Sequence, residues 1–288
     1  MIDLKRMLYR QLGIDMACSE EDVISRENVY TTAEWTEGMR KNLVFRDIPM
    51  HMIACNGKLL ARCQDKELTA WLNLNYGDFP GEWLSEFSHL RQLDEKLGMF
   101  GLTIEEVKLY FIPGDPWLPG SSEKLKPVLR KPLKDYIINW FEGEEIRRFQ
   151  GDDRFHEAVL FDERTPDVIA VTASAEGEIR AMAGATSDAS NLWQIGIDVT
   201  SGSEGQGLGT LLVRLLKEEI LRREILPFYG TAMSHIVSQR IAVRAGFVPA
   251  FSELTTRRLV SSDIERYDRY KDEPKLQQQQ QQQQLHLQ

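Results

Sequence analysis

The chain has 288 residues, of which 42% are hydrophobic and 27% charged, a composition typical of a soluble globular protein long enough for two domains. A formal net charge of −9 argues against broad nucleic-acid binding, which requires clustered lysine and arginine. No stretch approaches the roughly 18 consecutive apolar residues of a membrane helix, and the N-terminus lacks the apolar core of a secretion signal. We therefore expect a cytoplasmic protein with no membrane partner. The cysteines and histidines lack metal-ligand spacing, so no metal site is expected.

The first half of the chain is predicted to mix helices and strands. Amphipathic patterns predict helices at 4–13 and 81–99. Two short extended runs joined by Asn56-Gly57 predict a hairpin, and a strand is predicted at 107–113. The Pro-, Gly- and Ser-rich stretch 113–127 predicts a linker. No chemical motif is recognisable in this half.

The second half predicts a mixed α/β sheet with the order β-β-β-loop-α-β-α-β. The strands are predicted at 168–173, 179–185, 192–199, 227–233 and 247–254, and the helices at 207–223 and 238–246. The end of the chain is charged and then low in complexity, with eight consecutive glutamines, and it cannot form a core. These patterns predict an α/β N-terminal domain at 1–125, a second α/β domain at 126–260 and a disordered tail at 261–288.

The most informative feature is a glycine loop, Gly205-Gln206-Gly207-Leu208-Gly209, between a predicted strand and a predicted helix. Such a loop favours anion binding, because the first-turn amides lack partners and the helix N-terminus is partially positive. The dinucleotide fingerprint fails because Thr210 occupies the third glycine position, and the nucleotide P-loop fails because no lysine occurs until Lys217. A turn that only starts the helix is the alternative interpretation.

Two segments of the second half carry a family resemblance. The hexad Glu204–Gly209 resembles motif A of the GNAT N-acetyltransferase superfamily, Gln/Arg-x-x-Gly-x-Gly/Ala, which binds the pyrophosphate of acetyl-coenzyme A. The preceding run IGIDV is similar to the family's fourth strand, and SHIVSQRIAVRAGF is similar to its motif B. The similarity covers about 136–259 and resembles a bacterial subgroup with an extra N-terminal domain. Glu204 departs from the family's Gln or Arg. Ala242 stands where many members of the family have a tyrosine that protonates the leaving thiolate.

The resemblance implies a GNAT-like acyl-CoA N-acyltransferase fold preceded by a smaller α/β domain, with acetyl-coenzyme A as co-substrate. The implied activity is acetyl transfer to an amine of a small molecule or peptide by direct attack. Coenzyme contacts are implied for Ile197, Val199, Gln206, Gly207, Leu208, Gly209, Thr210, Ser238 and Arg240. The candidates for proton transfer are Asp198, His235 and Tyr229, and each has an ordinary alternative as a strand, loop or core residue.

Other hypotheses stay open from the sequence. The departures at Glu204 and Ala242 also fit a catalytically inactive module that keeps the fold and binds the coenzyme or another protein. A third hypothesis makes the glycine loop structural and places the function in an N-terminal protein-interaction domain. The N-terminal domain has two further candidate roles, which are to shape the acceptor pocket or to form a homodimer interface.

Overall fold

The computed structural model describes residues 3–114 and 135–263, and within these ranges ten strands and seven α-helices build a mixed α/β fold, as predicted. The strands are β1 (Val29–Thr32), β2 (Met50–Cys55), β3 (Lys58–Cys63), β4 (Leu102–Pro113), β5 (Ile137–Glu142), β6 (Asp167–Ala175), β7 (Glu178–Ala189), β8 (Leu192–Val199), β9 (Leu226–Ala232) and β10 (Phe247–Arg258). The helices are α1 (Leu4–Asp15), α2 (Glu20–Ile24), α3 (Lys41–Phe45), α4 (Lys66–Tyr76), α5 (Phe87–Gly98), α6 (Leu208–Arg222) and α7 (Ile236–Arg244). Most of the predicted linker 113–127 and of the tail 261–288 lies outside the described residues.

All ten strands belong to one sheet, in the order β1-β3-β2-β10-β4-β9-β8-β7-β6-β5. The β1–β3 and β8–β9 pairs are parallel, and the other neighbours are antiparallel. β4 comes from the first half of the chain but lies between β9 and β10 from the second half. The domain division at residue 125 stays a prediction, and any such division has to accommodate this shared strand.

The predicted hairpin of the first half is present as β2 and β3. Asn56 and Gly57 have φ values of 54° and 79°, which are the positive values that a two-residue hairpin turn of this type requires. The predicted helix 81–99 is shorter in the structure, where a 3-10 turn at Gly81–Trp83 precedes α5. α4 and β5 were not predicted, although Asp65 caps α4 by accepting the backbone N–H groups of Glu67 and Leu68.

The two faces of the sheet are covered by different helices. Along β4, Leu109 and Phe111 pack in the core that contains α6, whereas Tyr110 and Ile112 pack in the core that contains α1. This alternation follows from the two-residue period of a strand. α6 and α1 therefore lie on opposite faces of the central strands, and both faces are apolar there.

A buried ionic cluster joins the first half of the chain to β10. The Arg40 guanidinium, only 1% exposed, donates to the carboxylates of Asp15 and Glu253. It also lies over the rings of Tyr110 and Phe251, at 5.7 and 5.9 Å from their centroids. One cation thus pairs with two carboxylates from different segments, which couples α1 and β10 through one side chain.

Burial alone would raise the pKa of Glu253, but the Arg40 charge and a 2.9 Å hydrogen bond to the imidazole of His51 outweigh it. The pKa of Glu253 is therefore well below its usual range. The pKa of His51 is lowered, first by its own burial and against the attraction of Glu253. The neutral imidazole thus completes the shell around a single buried carboxylate.

Replacement of Arg40 by leucine is expected to lower the free energy of unfolding by about 3–5 kcal/mol, because two buried carboxylates lose their counter-charge. Urea titrations of R40L and wild type measure this difference. R91L is the matched control, since Arg91 lies on the exposed face of α5 and, within the described part of the chain, is paired with the exposed Glu95. Equal losses in the two variants would contradict the role assigned to the cluster.

Asp188 on β7 is a second buried carboxylate, 3% exposed and hydrogen-bonded to the Thr186 hydroxyl at 2.9 Å. Burial raises its pKa to about 6, against the Thr186 hydrogen bond and the charges of Arg40 and Lys41 and together with the charge of Glu253. Ionisation of Asp188 therefore costs folding free energy above that pH. The cost disappears below the ordinary pKa of an aspartate, where the side chain is neutral in both states.

D188N is accordingly expected to be more stable than wild type at pH 7.5 by up to about 3 kcal/mol. The advantage should shrink as the pH falls from about 6 to about 4, because wild-type Asp188 then folds uncharged. Urea unfolding across this pH range checks the sign. D78N, at an exposed aspartate, controls for the substitution itself, and a pH-independent D188N effect would refute the explanation.

Candidate functional site

The candidate site is a cleft where β8 and β9 separate. These parallel strands are paired only at Leu192–Gln194 and Leu226–Phe228. Beyond that point, β8 continues along β7 to Val199, and β9 continues along β4 to Ala232. The facing edges of the two strands are left open to each other. A cavity of about 860 Å³ fills the gap, a volume in the usual range for small-molecule sites.

The cavity brings together most of the residues that the sequence suggested. Those that line it are Ile197, Asp198, Val199, Gly207, Leu208, Gly209, Thr210, Tyr229, His235, Ser238 and Arg240. The side chain of Gln206 is instead engaged within the protein, where it accepts a hydrogen bond from the Tyr136 hydroxyl at 2.8 Å and donates to the Gly202 carbonyl at 3.2 Å. The ligand roles of all these residues stay predictions.

The glycine loop leads directly into α6 at the mouth of the cleft. Gly207 is the N-cap residue and has φ 89°, a left-handed conformation that favours glycine. No side chain among the described residues caps this helix. Its first-turn amides, from Leu208 to Thr210, are therefore available to an anion in the cleft.

The charges around this loop can also accommodate an anion. Arg240 and Arg244 of α7 line the cleft. The carboxylate of Glu204 accepts the backbone N–H of Gly202 at 2.7 Å, so it is bound to its own loop. A carboxylate at this position would repel the phosphates of a ligand, and the hydrogen bond from Gly202 offsets part of its charge.

Comparison with known proteins agrees with this geometry. Residues 133–247 match the model of the acetyltransferase (GNAT) family. Residues 133–247 are a GNAT acetyltransferase domain. A search of curated proteins finds no match to the chain.

Solved structures similar to the chain include three described as GNAT proteins. One is a putative acetyltransferase of Novosphingobium aromaticivorans, with 18% identity over 56% of this chain and 69% of the other, and a TM-score of 0.37. A GCN5-related N-acetyltransferase-like protein of Streptococcus suis has 11% identity over 73% and 84% of the two chains, with a TM-score of 0.44. An N-acetyltransferase of Kribbella flavida has 21% identity over 59% and 66%, with a TM-score of 0.38.

No helix in residues 3–114 and 135–263 is long and apolar enough to cross a membrane. In the same residues, no group of three or more His, Cys, Asp or Glu side chains is placed so that it could hold a metal ion.

Asp198 of the GNAT domain points away from α6. Ile195, Ile197 and Val199 pack in the α6 core, so the alternate residues of β8 face the other side of the sheet. There, Oδ2 of Asp198 accepts the backbone N–H groups of Glu157 and Ala158, both at 2.8 Å. Burial raises the pKa of Asp198 and these two bonds oppose the rise. This carboxylate therefore anchors the 157–158 backbone at the edge of the cleft.

Two strand glycines make that anchoring sterically feasible. A Cβ on Gly184 would lie 1.9 Å from the carbonyl oxygen of Ala158, and a Cβ on Gly196 would lie 1.8 Å from that of Glu157. No side chain fits at either position while the 157–158 backbone keeps its place. The pair of glycines in β7 and β8 thus fixes how closely this segment approaches the cleft.

Tyr229 faces the α6 and α7 side of the cleft. Its side chain is 2% exposed, and its hydroxyl is 2.8 Å from the Ser238 hydroxyl on α7. Burial raises the pKa of Tyr229 to about 12, opposed by the Ser238 hydrogen bond and assisted by the charges of Glu157 and Asp198. The phenol is therefore protonated at neutral pH. His235 lies at the N-terminus of α7, exposed at the rim.

G196A is expected to displace the 157–158 segment from β8 and to lower the free energy of unfolding by about 2 kcal/mol or more, since the backbone has to move to admit the methyl group. Urea titration measures the loss. G98A is the control, because a Cβ on Gly98 meets nothing within 4 Å at the end of α5. A neutral G196A would mean that the segment is not packed on β8.

Proposed function

We propose that the protein is an acetyl-CoA-dependent N-acetyltransferase that transfers an acetyl group to an amine of a small molecule or peptide by direct attack. One observation carries the proposal: in the GNAT domain, an open strand edge leads directly to an uncapped helix N-terminus. An extended ligand with amide groups can pair with β8 as an added strand, and its phosphates can then reach the amides of α6.

The predicted coenzyme contacts suit this path. The backbone groups of Ile197 and Val199 on the open edge would pair with the pantetheine arm. The amides of Gly207, Leu208, Gly209 and Thr210 would hold the pyrophosphate. Ser238 and Arg240 line the α7 side of the same cavity, where the guanidinium can add positive charge. The Gln206 side chain, bonded to Tyr136, would order the loop, and its backbone amide stays a candidate contact.

Tyr229 is the proposed acid for the leaving thiolate. The family's tyrosine is replaced by Ala242, but the Tyr229 hydroxyl is bonded to Ser238, one helical turn before Ala242 on α7. A phenol thus lies near that position from a different element. Because it is protonated at neutral pH, it can donate to a thiolate as the C–S bond breaks.

The first half of the chain would contribute to the acceptor side of the cleft, because Lys108 of β4 lines it. This supports a role in shaping the acceptor pocket. From composition and charge we further propose a cytoplasmic enzyme that acts without nucleic acid. A homodimer is a separate proposal, which light scattering of the purified protein tests.

The second candidate is a coenzyme-binding module without catalysis, which Glu204 and Ala242 favour. Turnover separates the two functions. Acetyl-coenzyme A at a hundredfold excess over its dissociation constant should stabilise the protein by about 2.7 kcal/mol under either hypothesis. Release of coenzyme A thiol in the presence of an amine panel is expected only for the enzyme.

G207V is expected to weaken acetyl-coenzyme A binding at least about tenfold, because a side chain intrudes where the backbone should meet the phosphates. Calorimetric titration measures the affinity. G202A is the matched control: Gly202 also has positive φ, at 82°, but does not line the cavity. Equal weakening in both variants, or no coenzyme-induced stabilisation of wild type, would argue against the assigned binding path.

A further inference from the structure

The segment around Glu157 lies across the cleft on the face opposite α6. Its backbone is held by the two N–H bonds to Asp198 and by the close contact with Gly196. A side chain on this segment therefore starts from a fixed position at the point where β8 and β9 separate. Sequence reasoning did not single out Glu157.

Glu157 lines the cavity, and its side chain is largely open to solvent. The side chain is 70% exposed, and within the described residues its Oε1 lies 3.8 Å from Nε2 of the equally exposed His156. Its charge also contributes to the raised pKa of Tyr229. The carboxylate and the phenol are thus within electrostatic reach of each other.

The other titratable groups around the cavity are less suited to take a proton from an acceptor. Asp198 already accepts two backbone N–H groups. Lys108 is paired with Glu106 at 2.9 Å, and Glu204 is bonded within the glycine loop on the coenzyme side. His235 lies at the start of α7, which packs with α6 on the face of the sheet opposite Glu157. Glu157 is the carboxylate that combines a fixed backbone with an open side chain.

We infer that Glu157 is the general base of the acetyl transfer and that Asp198 is a positioning residue that holds it. This inference rests on the proposed function. The acceptor ammonium gives one proton to the Glu157 carboxylate, which passes it to solvent. The amine nitrogen then attacks the thioester carbonyl carbon, a C–N bond forms and the C–S bond breaks. Tyr229 protonates the thiolate, and the second proton of the nitrogen restores the phenol through solvent.

The primary test compares E157Q with E163Q. Glu163 is exposed in the same connection between Phe155 and β6 but does not line the cavity. E157Q is expected to lower kcat at least about 100-fold, the contribution of a general base, while acetyl-coenzyme A affinity and the melting temperature stay unchanged. E163Q should behave as wild type. In E157A, added formate should restore part of the lost rate, because it supplies a carboxylate in the vacated space.

The positioning role of Asp198 has its own readout. The carboxamide oxygen of asparagine can accept both backbone N–H groups, whereas alanine accepts none. D198N should therefore keep most of the wild-type kcat, and D198A should lose most of it. A drop of about 100-fold in D198N, with E157Q still active, would make Asp198 the base and overturn the inference.

The two levels of the proposal fail in different ways. If wild type releases thiol with an amine and E157Q retains its rate, only the assignment of Glu157 is wrong. If wild type binds acetyl-coenzyme A but releases no thiol with any amine, the proposed function is wrong. The assignment of Glu157 as the general base is then wrong as well.

Discussion

The site depends on one constraint, which is that β8 and β9 are hydrogen-bonded over only three residue pairs. Strand edges without partners are normally costly or prone to pair with other chains. Here each strand is supported from its outer side, β8 by β7 along its whole length and β9 by β4. The separation is therefore a stable feature of the sheet. An extended ligand that fills the gap would satisfy the free backbone groups that the separation creates.

This support makes the first half of the chain part of the second half's sheet. β4 pairs with β9 on one side and with β10 on the other, and Arg40 from the first half pairs with Glu253 of β10. Removal of residues 1–125 would take out an internal strand and leave a buried carboxylate without its counter-charge. Such a truncation would damage the cleft even if the first half had no direct part in binding or catalysis. The separate roles of the two halves have to be distinguished by point substitutions.

Much of the second half was predictable because its signals are local. β8 was predicted with its observed bounds, and α6 within one residue, from apolar periodicity and the glycine loop before the helix. β5 was not predicted, because Ile137 and Trp140 are exposed and the strand lacks a regular alternation of buried apolar and exposed polar residues. The separation of β8 and β9 could not be predicted, since it depends on β4, about ninety residues earlier in the chain.

The candidate site divides in the same way. Residues next to the glycine loop and in α7 could be named from the motifs, and all of them except Gln206 line the cavity. Glu157 could not, because nothing in its own neighbourhood distinguishes it from a surface glutamate. A distant signal did exist: Gly184 and Gly196 are glycines within strands, which often mark a close backbone approach. The structure is needed to identify the 157–158 segment as the one that approaches these glycines.

The hydrogen bonds of Asp198 also bear on which carboxylate, Asp198 or Glu157, can act as the base. An ionised carboxylate accepts hydrogen bonds but donates none, and two N–H groups converge on one of its oxygens. A proton arriving at that oxygen would oppose two donors, and a proton on the other oxygen would weaken both bonds by removing the charge. If Asp198 were the base, each proton transfer would weaken its hold on the 157–158 backbone. The geometry instead suits an anchor for the backbone of Glu157 and Ala158, which leaves proton transfer to the open Glu157 carboxylate.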